Sequence, residues 1–186
     1  MNPSTALARV LVDELARLGL TEAVIAPGSR STPLALALVA DTRIRTHVRI
    51  DERSASFLAV GLARASRRPV ALVCTSGTAA ANFHPAVLEA DQSGVSLIVL
   101  TADRPPELRG TGANQTVNQI GLYGSAVRFF AEVGVPEREA GMVAYWRSLV
   151  CRAWAAAQAN KPGPVHLNLA FREPLVPEPG GQPWPE

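Results

Sequence analysis

The sequence predicts an α/β fold, with an open parallel sheet of about five or six strands and helices on both faces. Short apolar segments alternate along the chain with longer segments whose apolar residues recur at helical spacing. Such alternation is typical of βαβ units, whose right-handed crossovers place the strands parallel. The length of 186 residues, 47% of them hydrophobic, is sufficient for one domain with a full-sized core.

The chain begins with a predicted helix. Asn2 and Pro3 are typical of a cap and a first-turn proline, and the apolar residues after them keep helical spacing as far as a stop at Gly19. The continuous apolar run at residues 23–27 predicts a short strand. A glycine–serine turn then leads into a second helix over residues 33–39.

The middle of the chain continues this alternation. Residues 44–50 alternate apolar and polar, as a half-buried strand does, and Asp51 is placed to cap the alanine-rich helix that follows. Residues 69–75 predict another apolar strand. A Ser-Gly-Thr turn at residues 76–78 then opens a helix that is expected to run through Ala90.

The last part of the chain contains a fourth strand at residues 95–102 and then a long polar loop at 103–119. A weaker strand pattern covers residues 129–135. A stripe of apolar residues at helical spacing, ending near Asn160, predicts the last helix, and residues 164–169 predict the last strand.

These elements indicate one α/β domain over residues 1–173. Residues 174–186 are rich in Pro and Gly, which is typical of a linker toward downstream domains. Because domains are joined through such linkers, the chain is interpreted as the first domain of a longer polypeptide.

Composition and spacing argue against several classes of protein. A net charge of +2, with no run of Lys and Arg, does not predict a nucleic-acid-binding surface. Cys74 and Cys151 lie in apolar segments without paired-cysteine spacing, so we expect buried free thiols. His47, His84 and His166 lack metal-ligand spacing, and no metal site is predicted in this chain. The sequence shows no signal segment and no apolar run long enough for a membrane span, which predicts a cytoplasmic protein.

Four polar clusters lie directly after predicted strands, at residues 28–31, 51–52, 76–78 and 103–106. The carboxyl ends of parallel strands meet at one edge of a sheet, where open α/β folds build their binding sites. We therefore expect the four clusters to line one crevice. Glu52 is the first candidate for catalysis there. Its alternative explanation is that acids complement the dipole in a first helical turn.

The other clusters offer groups that bind anions or polar ligands. Arg30 would add a guanidinium to the backbone donors of a helix start, which suits a carboxylate or phosphate; the alternative is a tight turn capped by Ser29. Arg104 precedes two prolines that hold its backbone extended, and the alternative is an exposed, solvated arginine. Gln115, beside Asn114, would hydrogen-bond a polar ligand or cap the next helix. The Ser-Gly-Thr turn at 76–78 lacks the lysine of a phosphate loop, and its alternative is again a cap.

Five motifs occur in order along the chain: Ala26-Pro-Gly-Ser-Arg-Ser-Thr32, Asp51-Glu-Arg53, Thr75-Ser-Gly-Thr-Ala79, Thr101-Ala-Asp-Arg-Pro-Pro-Glu-Leu108 and Gly112-Ala-Asn-Gln115. Together they closely resemble the N-terminal domain of the 2-succinyl-5-enolpyruvyl-6-hydroxy-3-cyclohexene-1-carboxylate synthases, a family of thiamine-diphosphate enzymes of menaquinone biosynthesis. The resemblance covers the chain as far as the proline-rich tail. It implies the thiamine-diphosphate-binding fold and, for this chain, the domain that binds the aminopyrimidine of the cofactor.

The resemblance also implies roles for single residues. Glu52 matches the activating glutamate, which hydrogen-bonds a ring nitrogen of the pyrimidine and thereby assists loss of the thiazolium proton. The other implied contacts are Ser29, Arg30, Arg104 and Gln115 for isochorismate, and Gly28, Thr78 and Asn82 for the pyrimidine.

Members of this family decarboxylate 2-oxoglutarate on the cofactor and add the resulting succinyl unit to isochorismate. In the family, a Gly-Asp-Gly motif on another domain holds the diphosphate and a divalent cation, Mg²⁺ or manganese. No Gly-Asp-Gly occurs in these 186 residues, so the chain alone is expected to be inactive. The family's active site forms between two chains, which implies a homo-oligomer.

Two other functions fit parts of the pattern. A different thiamine-diphosphate carboligase, related to acetolactate synthase, would use the same glutamate, although Ser29, Arg30 and Arg104 favour an anionic acceptor. A non-catalytic module that binds a diacid, or serves only for assembly, is favoured for the isolated chain because it lacks a diphosphate site.

Overall fold

The structure, a computed structural model, describes residues 1–177, and within them six strands form one sheet. The strands are β1 (Glu22–Ile25), β2 (Arg45–Val48), β3 (Val70–Cys74), β4 (Leu97–Asp103), β5 (Phe130–Glu132) and β6 (Val165–Ala170). Their order is β2-β1-β3-β4-β6-β5, and every neighbouring pair is parallel. The predicted fold class is confirmed.

Helices cover both faces of this sheet. They are α1 (Pro3–Arg17), α2 (Thr32–Ala40), α3 (Glu52–Ser66), α4 (Thr78–Asn82), α5 (His84–Ser93) and α6 (Met142–Ala157). Helices α1, α2 and α6 share one apolar core with Ile25, Val73 and Leu100, whereas α3, α4 and α5 share the other with Val24, Leu72 and Val99. Successive strand residues thus face opposite cores, as the two-residue period of a strand requires.

The helix ends lie where the capping residues and the glycine in the sequence predict them. The Asn2 side chain accepts a hydrogen bond from the Thr5 N–H at 2.8 Å, and Gly19 ends the first helical segment with a φ of 106°. Asp51 caps α3 by accepting from the Ser54 N–H at 2.7 Å. Capping side chains therefore mark both helix starts correctly.

The helix expected over residues 76–90 is wrong in one respect, because it is divided into α4 and α5 at Phe83. Pro85 explains the division. It has no N–H to donate to the Ala81 carbonyl, and its ring would collide with that carbonyl in a continuous helix. The expectation of two buried thiols also needs correction, since Cys74 is buried but Cys151 is only half-buried.

The start of the proline-rich tail packs on the domain. Leu175 is buried, and the Asn2 side-chain N–H donates to the Val176 carbonyl at 2.8 Å. The rest of the predicted linker, residues 178–186, lies outside the described residues, so the division at residue 173 stays a prediction. Among residues 1–177, no helix has the length and apolar character that a membrane crossing needs.

Candidate functional site

The chain leaves the adjacent strands β1 and β3 toward opposite faces of the sheet. After β1 it enters α2 in one core, and after β3 it enters α4 in the other. Such a reversal opens a crevice at the carboxyl ends of the two strands, where α/β proteins bind ligands. The Arg30 N–H donates to Thr75 Oγ1 across this crevice at 3.2 Å. The predicted cluster at residues 28–31 therefore contacts Thr75, the residue directly before the cluster at 76–78.

Gly28 lies where these two turns approach each other. Its φ of 179° is extended and is open to any residue, so the requirement for glycine is one of space. A Cβ on Gly28 would lie 2.3 Å from the Cβ of Thr75. The missing side chain lets the turns close on each other, and a contact of Gly28 with a cofactor stays a prediction.

Gly28→Ala is expected to lower the free energy of unfolding of the chain by about 1–3 kcal/mol, the usual range for overpacking. Gly61→Ala is the matched control, because Gly61 lies inside α3 and a Cβ there would meet nothing within 4 Å. That change should raise the free energy of unfolding by roughly 0.5–1 kcal/mol, since alanine favours a helix over glycine. Urea unfolding measures both changes. A Gly28→Ala chain as stable as the wild type would contradict the close approach.

Glu52 is the first residue of α3 and follows the end of β2 at Val48 after a short connection. Its side chain is half-buried. Asp51 already caps the helix, so the Glu52 carboxylate is not needed for that purpose. Among residues 1–177 it forms no hydrogen bond and no ion pair. Burial raises the pKa of the Cys74 thiol at the end of β3, and the negative charge of Glu52 raises it further. The Glu52 side chain therefore lies at the start of α3, at the carboxyl edge of the sheet, with no hydrogen-bond or ion-pair partner among the described residues.

The surface around Glu52 carries exposed apolar side chains. Ile50, two residues before Glu52, is 85% exposed, and Val48 and Phe57 are also exposed. An apolar rim beside an unpartnered carboxylate is typical of a surface that another chain or domain covers.

Arg30 and Arg104 bring two positive charges close to each other at the crevice. The Arg30 side chain is 7% exposed; its Nη1 donates to the Phe171 carbonyl at 2.9 Å and lies 3.4 Å from Glu173 Oε1. Burial lowers the pKa of Arg30, as does the nearby charge of Arg104, while Glu173 acts in the opposite direction. The Nε atoms of both arginines are buried without a partner within residues 1–177. Two neighbouring guanidinium groups whose Nε–H donors are unused can bind an anion.

Gln115 lies against the turn that follows β3. The Ser76 hydroxyl donates to the Gln115 carbonyl at 3.0 Å, and Gln115 Nε2 donates back to the Ser76 carbonyl at 3.1 Å. This reciprocal pair holds Gln115 at a left-handed φ of 55°. Its side-chain oxygen and one N–H remain for a ligand, and the alternative that the amide caps a helix is wrong.

The remaining predicted contacts lie at the starts of helices near the crevice. Ser29 and Thr78 are exposed, and neither hydroxyl caps a helix, contrary to the alternative explanation for each turn. Asn82 is exposed one turn beyond Thr78, and its Nδ2 donates to the Thr78 carbonyl at 3.2 Å. Contacts of these three residues with a ligand stay predictions.

A buried polar network beneath the crevice was not anticipated from the sequence. Its members are Thr101, Asp103, Arg109, Gln119, Glu132, His166 and Asn168. A signal for it does exist, because His166 and Asn168 interrupt an otherwise apolar strand two residues apart and so share one face of β6.

The protonation state of His166 follows from its neighbours. Burial lowers its pKa to about 3, so the ring is neutral near pH 7. Thr101 Oγ1 donates its only hydrogen to Asn168 Oδ1 at 2.8 Å, and it lies 2.7 Å from His166 Nε2. The Nε2 atom must therefore carry the ring hydrogen. His166 therefore donates a hydrogen bond to Thr101 Oγ1 within the buried network.

Comparison with known proteins identifies a family that matches most of this chain. Residues 5–122 match the family described as "Thiamine pyrophosphate enzyme, N-terminal TPP binding domain". The matched segment begins in α1, contains β1 to β4, and ends beyond the loop that carries Arg104 and Gln115.

Three similar curated proteins share the name 2-succinyl-5-enolpyruvyl-6-hydroxy-3-cyclohexene-1-carboxylate synthase. One from Saccharopolyspora erythraea is 62% identical over 190 residues, covering 100% of this chain and 34% of the relative. One from Rhodococcus opacus is 53% identical, covering 99% and 37%, and one from Geobacillus kaustophilus is 57% identical, covering 91% and 30%. The chain thus spans about a third of the length of these relatives.

Proposed function

The chain belongs to the thiamine pyrophosphate enzymes, whose N-terminal TPP binding domain it carries, and we propose that it is the aminopyrimidine-binding part of a 2-succinyl-5-enolpyruvyl-6-hydroxy-3-cyclohexene-1-carboxylate synthase. The names of the three relatives support this activity, and the anion-binding features of the crevice agree with it. The proposed place of the enzyme is menaquinone biosynthesis, in the cytoplasm.

The observation that carries the proposal is the Glu52 carboxylate at the carboxyl edge of the sheet, which has no hydrogen-bond or ion-pair partner among residues 1–177. A half-buried carboxylate without a hydrogen-bond partner is available to a ligand that offers a ring nitrogen. The residues present therefore fit an aminopyrimidine, with Glu52 holding or sharing a proton at that nitrogen. When bound, thiamine diphosphate supplies the thiazolium carbon on which a 2-oxo acid loses CO₂. Gly28, Thr78 and Asn82 are the further proposed contacts of the pyrimidine.

Arg30 and Arg104 support a dianionic acceptor. Isochorismate has two carboxylates, and two guanidinium groups with unsatisfied donors can pair with both of them. Ser29 and Gln115 would add neutral hydrogen bonds from the two turns that border the crevice. In the proposed reaction, 2-oxoglutarate is decarboxylated and its succinyl unit is transferred to isochorismate.

The rest of the proposed site lies outside this chain. We place the diphosphate and Mg²⁺ on another domain of the longer polypeptide, in keeping with the greater length of the relatives. A second copy of the polypeptide would cover the exposed apolar surface formed by Val48, Ile50 and Phe57. The proposed enzyme is accordingly a homo-oligomer whose site joins two chains.

The test is CO₂ release from 2-oxoglutarate by the complete natural polypeptide, supplied with thiamine diphosphate and Mg²⁺, with and without isochorismate. We expect release that rises with isochorismate and yields the coupled product. Pyruvate alone, serving as donor and acceptor, is the comparison. Efficient turnover of pyruvate alone would favour the acetolactate-synthase alternative. No turnover with any substrate would favour a diacid-binding module.

A further inference from the structure

Asn168 is the centre of the buried network beneath the crevice. Its side chain is fully buried in β6, at the carboxyl end of the sheet. Nδ2 donates to Asp103 Oδ2 at 2.8 Å and to Glu132 Oε2 at 2.6 Å. Oδ1 accepts from Thr101 Oγ1 at 2.8 Å and from Gln119 Nε2 at 2.9 Å. All four hydrogen-bonding positions of the amide are thus occupied.

One arm of this network leads to Arg104. The Asp103 side chain is fully buried, and its Oδ1 accepts from the Arg104 N–H at 2.7 Å. Its Oδ2 accepts from Asn168 and, at 2.8 Å, from Arg109, which also bonds Glu132. The Asp103 carboxylate is therefore held in one orientation, and it fixes the backbone from which the Arg104 guanidinium extends.

The other arm leads to Gln115. Gln119 is fully buried; its Oε1 accepts from the Gly77 N–H at 2.8 Å, and its Nε2 donates to the Ala102 carbonyl at 3.1 Å as well as to Asn168. The Gly77 N–H can only donate and the Ala102 carbonyl can only accept, so these two partners fix which atom of the Gln119 amide is oxygen and which is nitrogen. Gln119 thus fastens the loop after β4 to the turn after β3, where Ser76 pairs with Gln115.

We propose that Asn168 is a positioning residue for the acceptor-binding part of the site, because its one side chain links the strand end that carries Arg104 to the loop that carries Gln115. The inference rests on the proposed function, since it assigns a purpose to the relative placement of two proposed isochorismate contacts. Asn168 itself lies below the crevice and does not touch the substrate.

The chemistry of the network requires an amide at this position. Asp103 and Glu132 are two carboxylates that share one cation, Arg109. Asn168 supplies an N–H to each of them and keeps an acceptor for Thr101 and Gln119. An aspartate would keep the shape and the acceptors but would lose both N–H groups and add a third negative charge. Repulsion would then separate the elements that Asn168 joins.

The test compares Asn168→Asp with the wild type in the full-length enzyme. We expect the KM for isochorismate to rise by roughly 10- to 100-fold, because small displacements of binding groups have effects of that size. Acceptor-independent CO₂ release from 2-oxoglutarate should stay within about twofold, since it does not use the acceptor contacts. Calorimetric titration with isochorismate should show the same loss as a weaker Kd.

Two further variants keep the test decisive. Ser96→Ala removes a hydrogen bond of 2.7 Å to the Ala157 carbonyl beside the opposite end of β4, and it should leave both activities unchanged. Gln119→Met keeps the volume but breaks the arm toward Gln115, and it should raise the KM for isochorismate about tenfold. If Asn168→Asp does not fold, the KM for isochorismate of Gln119→Met tests the proposal instead: an unchanged KM would overturn it.

The outcomes separate this inference from the proposed function. A folded Asn168→Asp enzyme with an unchanged KM, or with equal losses in both activities, would overturn the positioning role alone. A wild-type enzyme that does not respond to isochorismate would overturn the proposed function, and the inference with it.

Discussion

Glu52→Gln is expected to reduce CO₂ release by the full-length enzyme by roughly 10²- to 10⁴-fold, the range typical of a lost proton-transfer group. The change nearly conserves shape, and the glutamine amide can still hydrogen-bond a pyrimidine nitrogen. It cannot hold a titratable proton at that nitrogen, so assistance to the thiazolium carbon is lost. The measurement is the initial rate of CO₂ release at saturating 2-oxoglutarate and thiamine diphosphate.

Asp51→Asn is the matched control for this experiment. Asp51 is the neighbouring carboxylate, is exposed, and caps α3 through the Ser54 N–H. Asparagine caps a helix about as well, so the variant removes one negative charge beside Glu52 without loosening the helix. Its rate should remain close to that of the wild type. If Glu52→Gln were as active as Asp51→Asn, Glu52 would be only a helix-start acid.

Arg30→Gln should have the second largest effect, a rise of roughly 10- to 100-fold in the KM for isochorismate. Hydrogen bonds to charged groups contribute about 1.5–3 kcal/mol, which corresponds to that range of affinity. Arg30 is buried, and its Nε has no hydrogen-bond partner among residues 1–177, so its donors are available to a carboxylate that binds there. The measurement is the dependence of CO₂ release on isochorismate concentration at saturating 2-oxoglutarate.

The control for Arg30→Gln is Arg64→Gln. Arg64 is exposed in the last turn of α3, at the opposite end of the domain from the crevice, and it carries the same charge. Its replacement should leave the KM for isochorismate unchanged. An equal effect of both variants would mean that net charge, rather than a carboxylate contact at Arg30, governs acceptor binding.

The sheet and the position of Glu52 followed from the sequence because both depend on local patterns. Apolar runs of strand length locate β1, β3 and β4, and a carboxylate between a strand and a helix must lie at the carboxyl edge of a parallel sheet. The caps at Asn2 and Asp51 are equally local. Each of these features is determined by residues within a few positions of one another.

Features that depend on distant residues were not predictable in the same way. Asn168 and Gln119 are 49 positions apart, and nothing in either local pattern indicates that they bond. The charge of Arg104 acts on Arg30 only because the two strand ends are brought together by the sheet. The break at Phe83 was predictable in principle from Pro85, but the continuous apolar spacing around it indicated a single helix.

The contact between Asn2 and Val176 has a consequence for how the chain folds during synthesis. Helix α1 is made before the other elements described above, yet it packs against α6, and its capping residue Asn2 bonds a residue 174 positions later. At 5–20 residues per second, a ribosome needs about 10–30 s to deliver α6 and Val176 after α1 emerges. During that interval one apolar side of α1 lacks its final neighbour. Nascent chains of this protein should therefore be more prone to aggregation until α6 and Val176 have emerged and packed on α1.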